Sequence, residues 1–150
     1  MIGQGAYAQV REAYDNNNNK KVAIKIYKKE KLREGQRLKG IRREVCILVL
    51  LKQIEHVGGM IDLVETRNHI NIIMEYCEGR DIYSNMKMKF NRRLDEKECK
   101  VIFYQLMVGL DRIHEIGVAH RDIKLENILV DIKGSHHIVS KIIDFGFSTC

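Results

Sequence analysis

Three oxygen-bearing side chains in the last third of the chain have the types and order that phosphoryl transfer requires. Asp122 and Asn127 lie in the run HRDIKLEN at positions 120–127, and Asp144 follows them within the sequence DFG. Phosphoryl transfer needs a carboxylate that orients the attacking hydroxyl and accepts its proton, together with oxygen ligands for Mg²⁺. Asp122 suits the first task, and Asn127 and Asp144 suit the second. Lys124 follows Asp122 closely and could neutralise charge on the phosphoryl group during transfer.

Two clusters nearer the start of the chain could bind the phosphates of a nucleotide. Gly3 and Gly5 would let the backbone approach a polyphosphate closely, although such glycines more often form only a turn. Lys25 ends the apolar run VAIK and could reach those phosphates, although a single lysine there usually extends into water. Glu44 lies on the apolar face of a predicted helix, where a shielded carboxylate needs a cationic partner. Lys25 is the candidate partner, but most helical glutamates are solvated.

Strands in the first half of the chain and helices in the second are predicted to position these side chains. A run rich in Val and Ile predicts a strand at 21–27, and strand-like runs predict further strands at 9–14, 60–66 and 70–76. Apolar residues at the helical period predict helices at 38–55, 82–89 and 95–115. Asp95 suits an N-cap and Gly117 a left-handed C-terminal residue, while Gly58 and Gly59 are expected to end the first helix.

The composition is that of an ordinary globular domain. Of the 150 residues, 45% are hydrophobic and 31% charged, and no apolar run approaches the roughly 20 residues of a membrane span. The start of the chain does not resemble a signal peptide. The four cysteines fit no zinc or redox spacing, which favours reduced thiols and a cytoplasmic location, with a nuclear one also open. The net charge of +6 is too diffuse to name a partner.

Two further patterns each admit a second interpretation. Basic residues between positions 28 and 43 could bind nucleic acid or an acidic partner, but a solvated connection is favoured, so no nucleic-acid partner is expected. His136 and His137 could ligate a metal ion, but no third ligand is near them in sequence, and the tip of a loop is the simpler interpretation.

In their order along the chain, these clusters resemble those of the eukaryotic protein kinase family over nearly the whole sequence. The resemblance implies an α+β, protein-kinase-like fold, with a five-stranded antiparallel N-lobe sheet, one long helix (the family's αC) and the first part of a mainly helical C-lobe. It places the N-lobe at 1–76, the hinge at 77–81 and an incomplete C-lobe at 82–150. It also implies ATP and Mg²⁺ as cofactors and a protein substrate with a Ser or Thr hydroxyl.

The resemblance assigns roles to individual residues. The implied catalytic set is Asp122, Lys124, Lys25 and Glu44, and the implied magnesium ligands are Asn127 and Asp144. The implied nucleotide contacts come from the glycine-rich loop, the hinge and the residues around adenine, namely Ile2, Gly3, Gln4, Gly5, Ala6, Tyr7, Val10, Ala23, Lys25, Met74, Glu75, Cys77 and Leu129. Ala8 stands where the family usually has a third glycine. The family also stacks four buried side chains, which correspond here to Leu48, Leu63, His120 and Phe145.

A few positions indicate the branch of the family to which the resemblance extends. Lys124 after Asp122 resembles the serine/threonine branch, and the stretch 142–148 is similar to the calmodulin-dependent-kinase-like group. A non-catalytic nucleotide-binding module and a small-molecule kinase of related fold are the alternatives. Because the chain ends four residues after Gly146 and only two residues precede Gly3, we expect a fragment without the activation segment and the remaining C-lobe helices.

Overall fold

Two units make up the computed structural model, each built from its own strands and helices. The first unit comprises Met1–Lys52 and Gly59–Tyr76, and the second comprises Gln53–Gly58 and Cys77–Cys150. Both combine a sheet with helices, which confirms the predicted α+β class. The structure describes residues 3–4, 8–32, 35–89, 91, 93–133 and 137–150.

A five-stranded antiparallel sheet lies in the first unit, as predicted. Its strands are β1 (Gly3–Gln4), β2 (Ala8–Asp15), β3 (Lys20–Lys28), β4 (Met60–Glu65) and β5 (His69–Glu75), and their order in the sheet is β1-β2-β3-β5-β4. The four strands predicted from sequence are confirmed to within one residue at each end. β3 is a central strand, because its backbone is hydrogen-bonded to β2 on one side and to β5 on the other. Its side chains Val22, Ala23 and Tyr27 are buried.

The helix of the first unit, α1 (Gly35–Leu50), ends well before the predicted boundary. The predicted range of 38–55 and its expected stop at Gly58 and Gly59 are therefore wrong. The chain turns at 51–53 and again at 55–56, where His56 has a φ of +61°, and Val57 then forms a bridge with Ile142. The N–H of Gly58 donates to the carbonyl of Ile142 over 2.8 Å, and the N–H of Ile142 donates to the carbonyl of His56 over 2.8 Å. Residues within a helix cannot form these hydrogen bonds, and the periodicity of apolar residues in the sequence does not reveal them.

One member of the implied buried stack is not buried. Leu48, His120 and Phe145 are buried, but Leu63 is 40% exposed. Leu63 is paired with the buried Ile72, so the two side chains lie on the same face of the sheet. It belongs to β4, however, which is an edge strand, and an edge residue has a neighbouring strand on one side only.

A three-stranded antiparallel sheet and two helices form the second unit. They are β6 (Arg80–Asp81), α2 (Ile82–Met88), α3 (Glu96–Glu115), β7 (Ile128–Lys133) and β8 (His137–Ile142). Its core contains the buried side chains of Ile82, Ile102, Ile128 and Val130. Among the described residues, none of the helices is both long and apolar enough to cross a membrane.

Both predicted ends of α3 are confirmed. The side chain of Asp95 accepts hydrogen bonds from the backbone N–H groups of Lys97 and Glu98, and the side chain of Glu98 accepts from the N–H of Asp95. This capping box satisfies donors that the first helical turn leaves unpaired. At the other end, Gly117 has a φ of +76°, which glycine adopts at little cost.

A glutamine on α3 fixes the position of β8. The side-chain nitrogen of Gln105 donates to the carbonyl of Ile138 over 2.8 Å. Its side-chain oxygen accepts from the N–H of Ser140 at 2.7 Å and from the Ser140 hydroxyl at 2.8 Å. These three bonds fix the register of β8 against α3, and β8 ends at Ile142, two residues before Asp144.

Candidate functional site

Lys25 and Glu44 form an ion pair within the first unit. Nζ of Lys25 lies 2.7 Å from Oε1 of Glu44, and the two side chains are 12% and 3% exposed. Lys25 projects from the central strand β3, where it is paired with Val10 on β2 and Ile72 on β5. Glu44 lies on the buried face of α1, together with Ile47 and Leu48. The structure therefore brings together the lysine and glutamate that the sequence suggested as partners.

A third side chain, Tyr27, contacts the same carboxylate and was missed by sequence reasoning. Its hydroxyl donates to Oε2 of Glu44 over 2.7 Å, and its ring centroid lies 5.6 Å from Nζ of Lys25. Burial raises the pKa of Tyr27, and the charge of Glu44 raises it further, while Lys25 acts in the opposite direction. The signal in the sequence was the spacing, because residues two apart on a strand project from one face.

The implied nucleotide contacts of the first unit that fall on described residues lie on neighbouring strands. Gly3 is paired with Val10, and Ala23 with Met74. The N–H of Glu75 donates to the carbonyl of Gly59, so an adenine contact by Glu75 would have to use its carbonyl oxygen. Gln4 belongs to β1, and the implied contacts at Ile2, Gly5, Ala6 and Tyr7 lie outside the described residues.

The remaining two implied nucleotide contacts belong to the second unit. Leu129 on β7 is half-buried and is paired with Asp81 on β6 and Lys141 on β8. Cys77 is also half-buried, and it is the first residue of that unit's longer segment.

A hydrogen-bonded carboxylate, Asp122, lies at the centre of the loop that precedes β7. Its Oδ2 accepts from Nζ of Lys124 at 2.7 Å and from Nδ2 of Asn127 at 2.9 Å. Nδ2 of Asn127 also donates to the backbone carbonyl of Asp122 over 2.9 Å. The bond to the Asp122 carboxylate raises the pKa of Lys124, so this lysine stays charged. The loop is thereby held in one conformation by its own side chains.

Asn127 and Asp144, the two candidate magnesium ligands, are linked through the backbone. The N–H of Ile143, the residue before Asp144, donates to the carbonyl of Asn127 over 2.9 Å. Asp144 has a φ of +63° and Arg121 a φ of +64°. Such values cost free energy in residues other than glycine and are concentrated at functional sites in proteins. The Arg121 conformation is supported by a 2.7 Å bond from its Nε to the carbonyl of Phe147.

His120 joins the loop around Asp122 to the segment around Asp144. Its Nε2 donates to the carbonyl of Ile143 at 3.0 Å, and its Nδ1 accepts from the N–H of Asp122 at 3.2 Å. The imidazole contacts the ring of Phe145 edge to face, with centroids 4.8 Å apart. Burial lowers the pKa of His120, while the Ile143 carbonyl and the nearby carboxylates act in the opposite direction. The neutral tautomer protonated on Nε2 fits both hydrogen bonds.

Protonation of His120 is expected to destabilise the second unit at acidic pH. The folded state lowers the pKa of His120, so its stabilising effect is present above the unfolded value of about 6.5 and is lost as pH falls through the folded value. Protonation would also remove the acceptor for the N–H of Asp122. We expect the free energy of unfolding to fall from about pH 7.5 to about pH 5, and to fall less in His120→Phe. Equal losses in both proteins, measured by urea unfolding, would refute this role.

Comparison with known proteins identifies relatives along the entire chain. The model of the protein kinase domain family matches residues 1–150. CBL-interacting protein kinase 31 of Oryza sativa subsp. japonica is 38% identical over 147 residues, covering 98% of this chain and 31% of that protein. NUAK family SNF1-like kinase 1 of Homo sapiens is 36% identical over 147 residues, covering 98% and 21%. The chain thus spans about a third or less of the length of these curated relatives.

Proposed function

Because the chain belongs to the protein kinase family, we propose that it supplies the catalytic core of a serine/threonine protein kinase. In this proposal, the γ-phosphate of ATP is transferred to the hydroxyl of a Ser or Thr side chain on a protein substrate. The resemblance to the serine/threonine branch agrees with the relatives found in plants and animals. The observation that carries the proposal is the fixed carboxylate of Asp122.

Asp122 is arranged to orient a hydroxyl and accept its proton. Both hydrogen bonds from neighbouring side chains converge on Oδ2, and the described residues place no donor on Oδ1. The side chain is 24% exposed, so a substrate can reach it. Oδ1 is therefore the proposed acceptor of the substrate proton, and a fixed carboxylate avoids the cost of reorganisation during the reaction. Lys124, already within 2.7 Å of Asp122, is the proposed cation that offsets negative charge on the transferring group.

The proposed ligands of the ATP phosphates lie in the first unit. Lys25 is the candidate cation, and its ion pair with the buried Glu44 restricts the directions in which its amine can point. The backbone of the glycine-rich loop, which begins at Gly3, is the proposed source of N–H groups for the same phosphates. The adenine contacts proposed for Met74, Glu75 and Cys77 rest on the family resemblance alone.

The donor set of Asn127 and Asp144 fits Mg²⁺. The amide nitrogen of Asn127 donates to Asp122, which fixes the side chain and leaves its oxygen as the atom suited to a cation. One amide oxygen and one carboxylate match the preference of Mg²⁺ for a few protein oxygens together with phosphates and water. When bound, the ion would neutralise charge on the phosphates. Asn127 is buried, so its side chain has little freedom to move away.

The proposal is tested by phosphorylation of three peptide pools that differ only in the acceptor residue, Ser, Thr or Tyr. With labelled ATP and Mg²⁺, we expect label on Ser and Thr peptides, little on Tyr peptides, and none when the metal is chelated. Transfer to Tyr alone would show that the branch is wrong. Binding of ATP, measured by calorimetry, without transfer to any pool would favour a non-catalytic nucleotide-binding module.

A further inference from the structure

The carboxylate of Glu44 is held by two donors that project from one strand. Nζ of Lys25 lies 2.7 Å from Oε1, and the hydroxyl of Tyr27 lies 2.7 Å from Oε2. Lys25 and Tyr27 are two residues apart on β3, and β3 is hydrogen-bonded along its length to β2 and β5. A central strand has little freedom to move, so the two donors keep a fixed separation and direction.

Because Glu44 is buried, its carboxylate needs the second hydrogen-bond donor, the hydroxyl of Tyr27. Glu44 is 3% exposed and lies between apolar residues of α1, including Ile41 and Leu48. A buried carboxylate oxygen without a hydrogen-bond donor lowers the free energy of unfolding. An ion pair through Oε1 alone would leave Oε2 without a donor. Because the environment raises the pKa of Tyr27, its hydroxyl keeps its proton at neutral pH and remains a donor.

We propose that Tyr27 is a positioning residue for Lys25: its hydroxyl fixes the carboxylate of Glu44, and Glu44 in turn holds the amine that would bind phosphate. Only the final step, phosphate binding, rests on the proposed function. Phenylalanine at position 27 would fill the same space and keep the ring near the Lys25 amine, but it would remove the donor to Oε2. Glu44 would then gain freedom, and the ion pair would loosen.

A double-mutant cycle separates positioning from simple packing. The four proteins are the unmodified chain, Tyr27→Phe, Glu44→Gln and the double variant. The rate at which an acylating reagent modifies the Lys25 amine is measured by peptide mass spectrometry, without nucleotide. We expect Tyr27→Phe to raise this rate about threefold to tenfold, since a hydrogen bond to a charged group is lost. In the Glu44→Gln background, the same substitution should have almost no effect.

Tyr14→Phe is the matched control. Its hydroxyl donates to the side chain of Asn19 over 2.6 Å on a 54% exposed residue of β2, without contact to Glu44. We expect Lys25 reactivity to be unchanged in this variant. If Tyr27 served only to fill the core, the unfolding midpoint would fall, but Lys25 reactivity would change by the same factor in both backgrounds. Equal factors, or a change below about twofold in Tyr27→Phe, would overturn the proposal.

Affinity for Mg²⁺–ATP, measured on the same proteins, tests the final step. We expect Tyr27→Phe to weaken binding about threefold to tenfold in the unmodified background and to leave it unchanged in the Glu44→Gln background. If none of the proteins binds nucleotide but Lys25 reactivity follows the expected cycle, the proposed function fails and the positioning of Lys25 by Tyr27 stands. If nucleotide binds but the reactivities are additive, the proposed function stands and the role of Tyr27 is wrong.

Discussion

The Asp122→Asn variant is expected to transfer phosphate about 10²-fold to 10⁴-fold more slowly than the unmodified protein while still binding Mg²⁺–ATP. An amide oxygen can replace Oδ2 and keep the bonds from Lys124 and Asn127, so the loop should retain its conformation. The other position of the side chain would carry an NH₂ group in place of Oδ1. That group cannot accept the proton of a substrate hydroxyl, and the chemical step should slow for this reason alone.

Single-turnover experiments measure the rate of phosphoryl transfer, and calorimetry separately measures the affinity for ATP. Glu126→Gln is a suitable control, because it makes the same carboxylate-to-amide change on an exposed residue of the adjacent 3₁₀ turn, Leu125–Asn127. We expect the control to retain its rate. Equal rates for Asp122→Asn and the unmodified protein would rule out Asp122 as the proton acceptor. Loss of both binding and transfer would instead show that Asp122 maintains the loop.

Gly79→Ala is expected to remove a large share of the stability of the second unit. Gly79 has a φ of +94°, and a Cβ there would lie 2.3 Å from the carbonyl oxygen of Val130 and 2.7 Å from Cα of Asp131. Both neighbours are backbone atoms of β7 and cannot rotate away. The residue after Gly79, Arg80, is paired with Val130, so relief of the clash would separate β6 from β7. We expect a loss of about 4 kcal/mol or more, a large share of a typical domain's stability.

Gly117→Ala isolates the contribution of backbone conformation. Gly117 also has a positive φ, +76°, but apart from its two chain neighbours no described residue has an atom within 4 Å of the position that its Cβ would occupy. This variant should therefore lose only about 1–2 kcal/mol, the cost of a left-handed conformation in a residue other than glycine. Urea unfolding of the two variants gives the comparison. Similar losses would mean that the contact between Gly79 and Val130 does not determine stability.

Local patterns in the sequence were sufficient for most of the secondary structure. Strand-like runs between turn residues located β2 to β5 of the first sheet, and α3 follows from helical periodicity together with the end signals at Asp95 and Gly117. The end of α1 could not be found in this way. A turn at 51–53 leads to His56 and Gly58, whose backbone pairs with Ile142, a residue far away in sequence. The exposure of Leu63 also could not be predicted from local sequence, because it results from the edge position of β4, and strand order is a property of the whole sheet.

Residue types and order suggested the groups of the candidate site, but not how they are fixed. The pairing of Lys25 with Glu44 was anticipated because a shielded carboxylate needs a cation. The second donor, Tyr27, required knowledge of which face of β3 meets α1. Likewise, the two bonds that converge on one oxygen of Asp122 depend on the conformation of the loop, which no periodic pattern reports. The catalytic, nucleotide and magnesium roles of these residues stay predictions.

Gln53–Gly58 belongs to the second unit, although it lies in sequence between the two segments of the first. The polypeptide passes between the two units three times, after Lys52, Gly58 and Tyr76, so one scission cannot yield two intact pieces. An excised peptide ending at Tyr76 would carry away His56 and Gly58, and Ile142 would lose both of its backbone partners there. To produce the second unit alone, residues 53–58 would therefore have to be fused to the fragment that begins at Cys77, or added to it as a separate peptide.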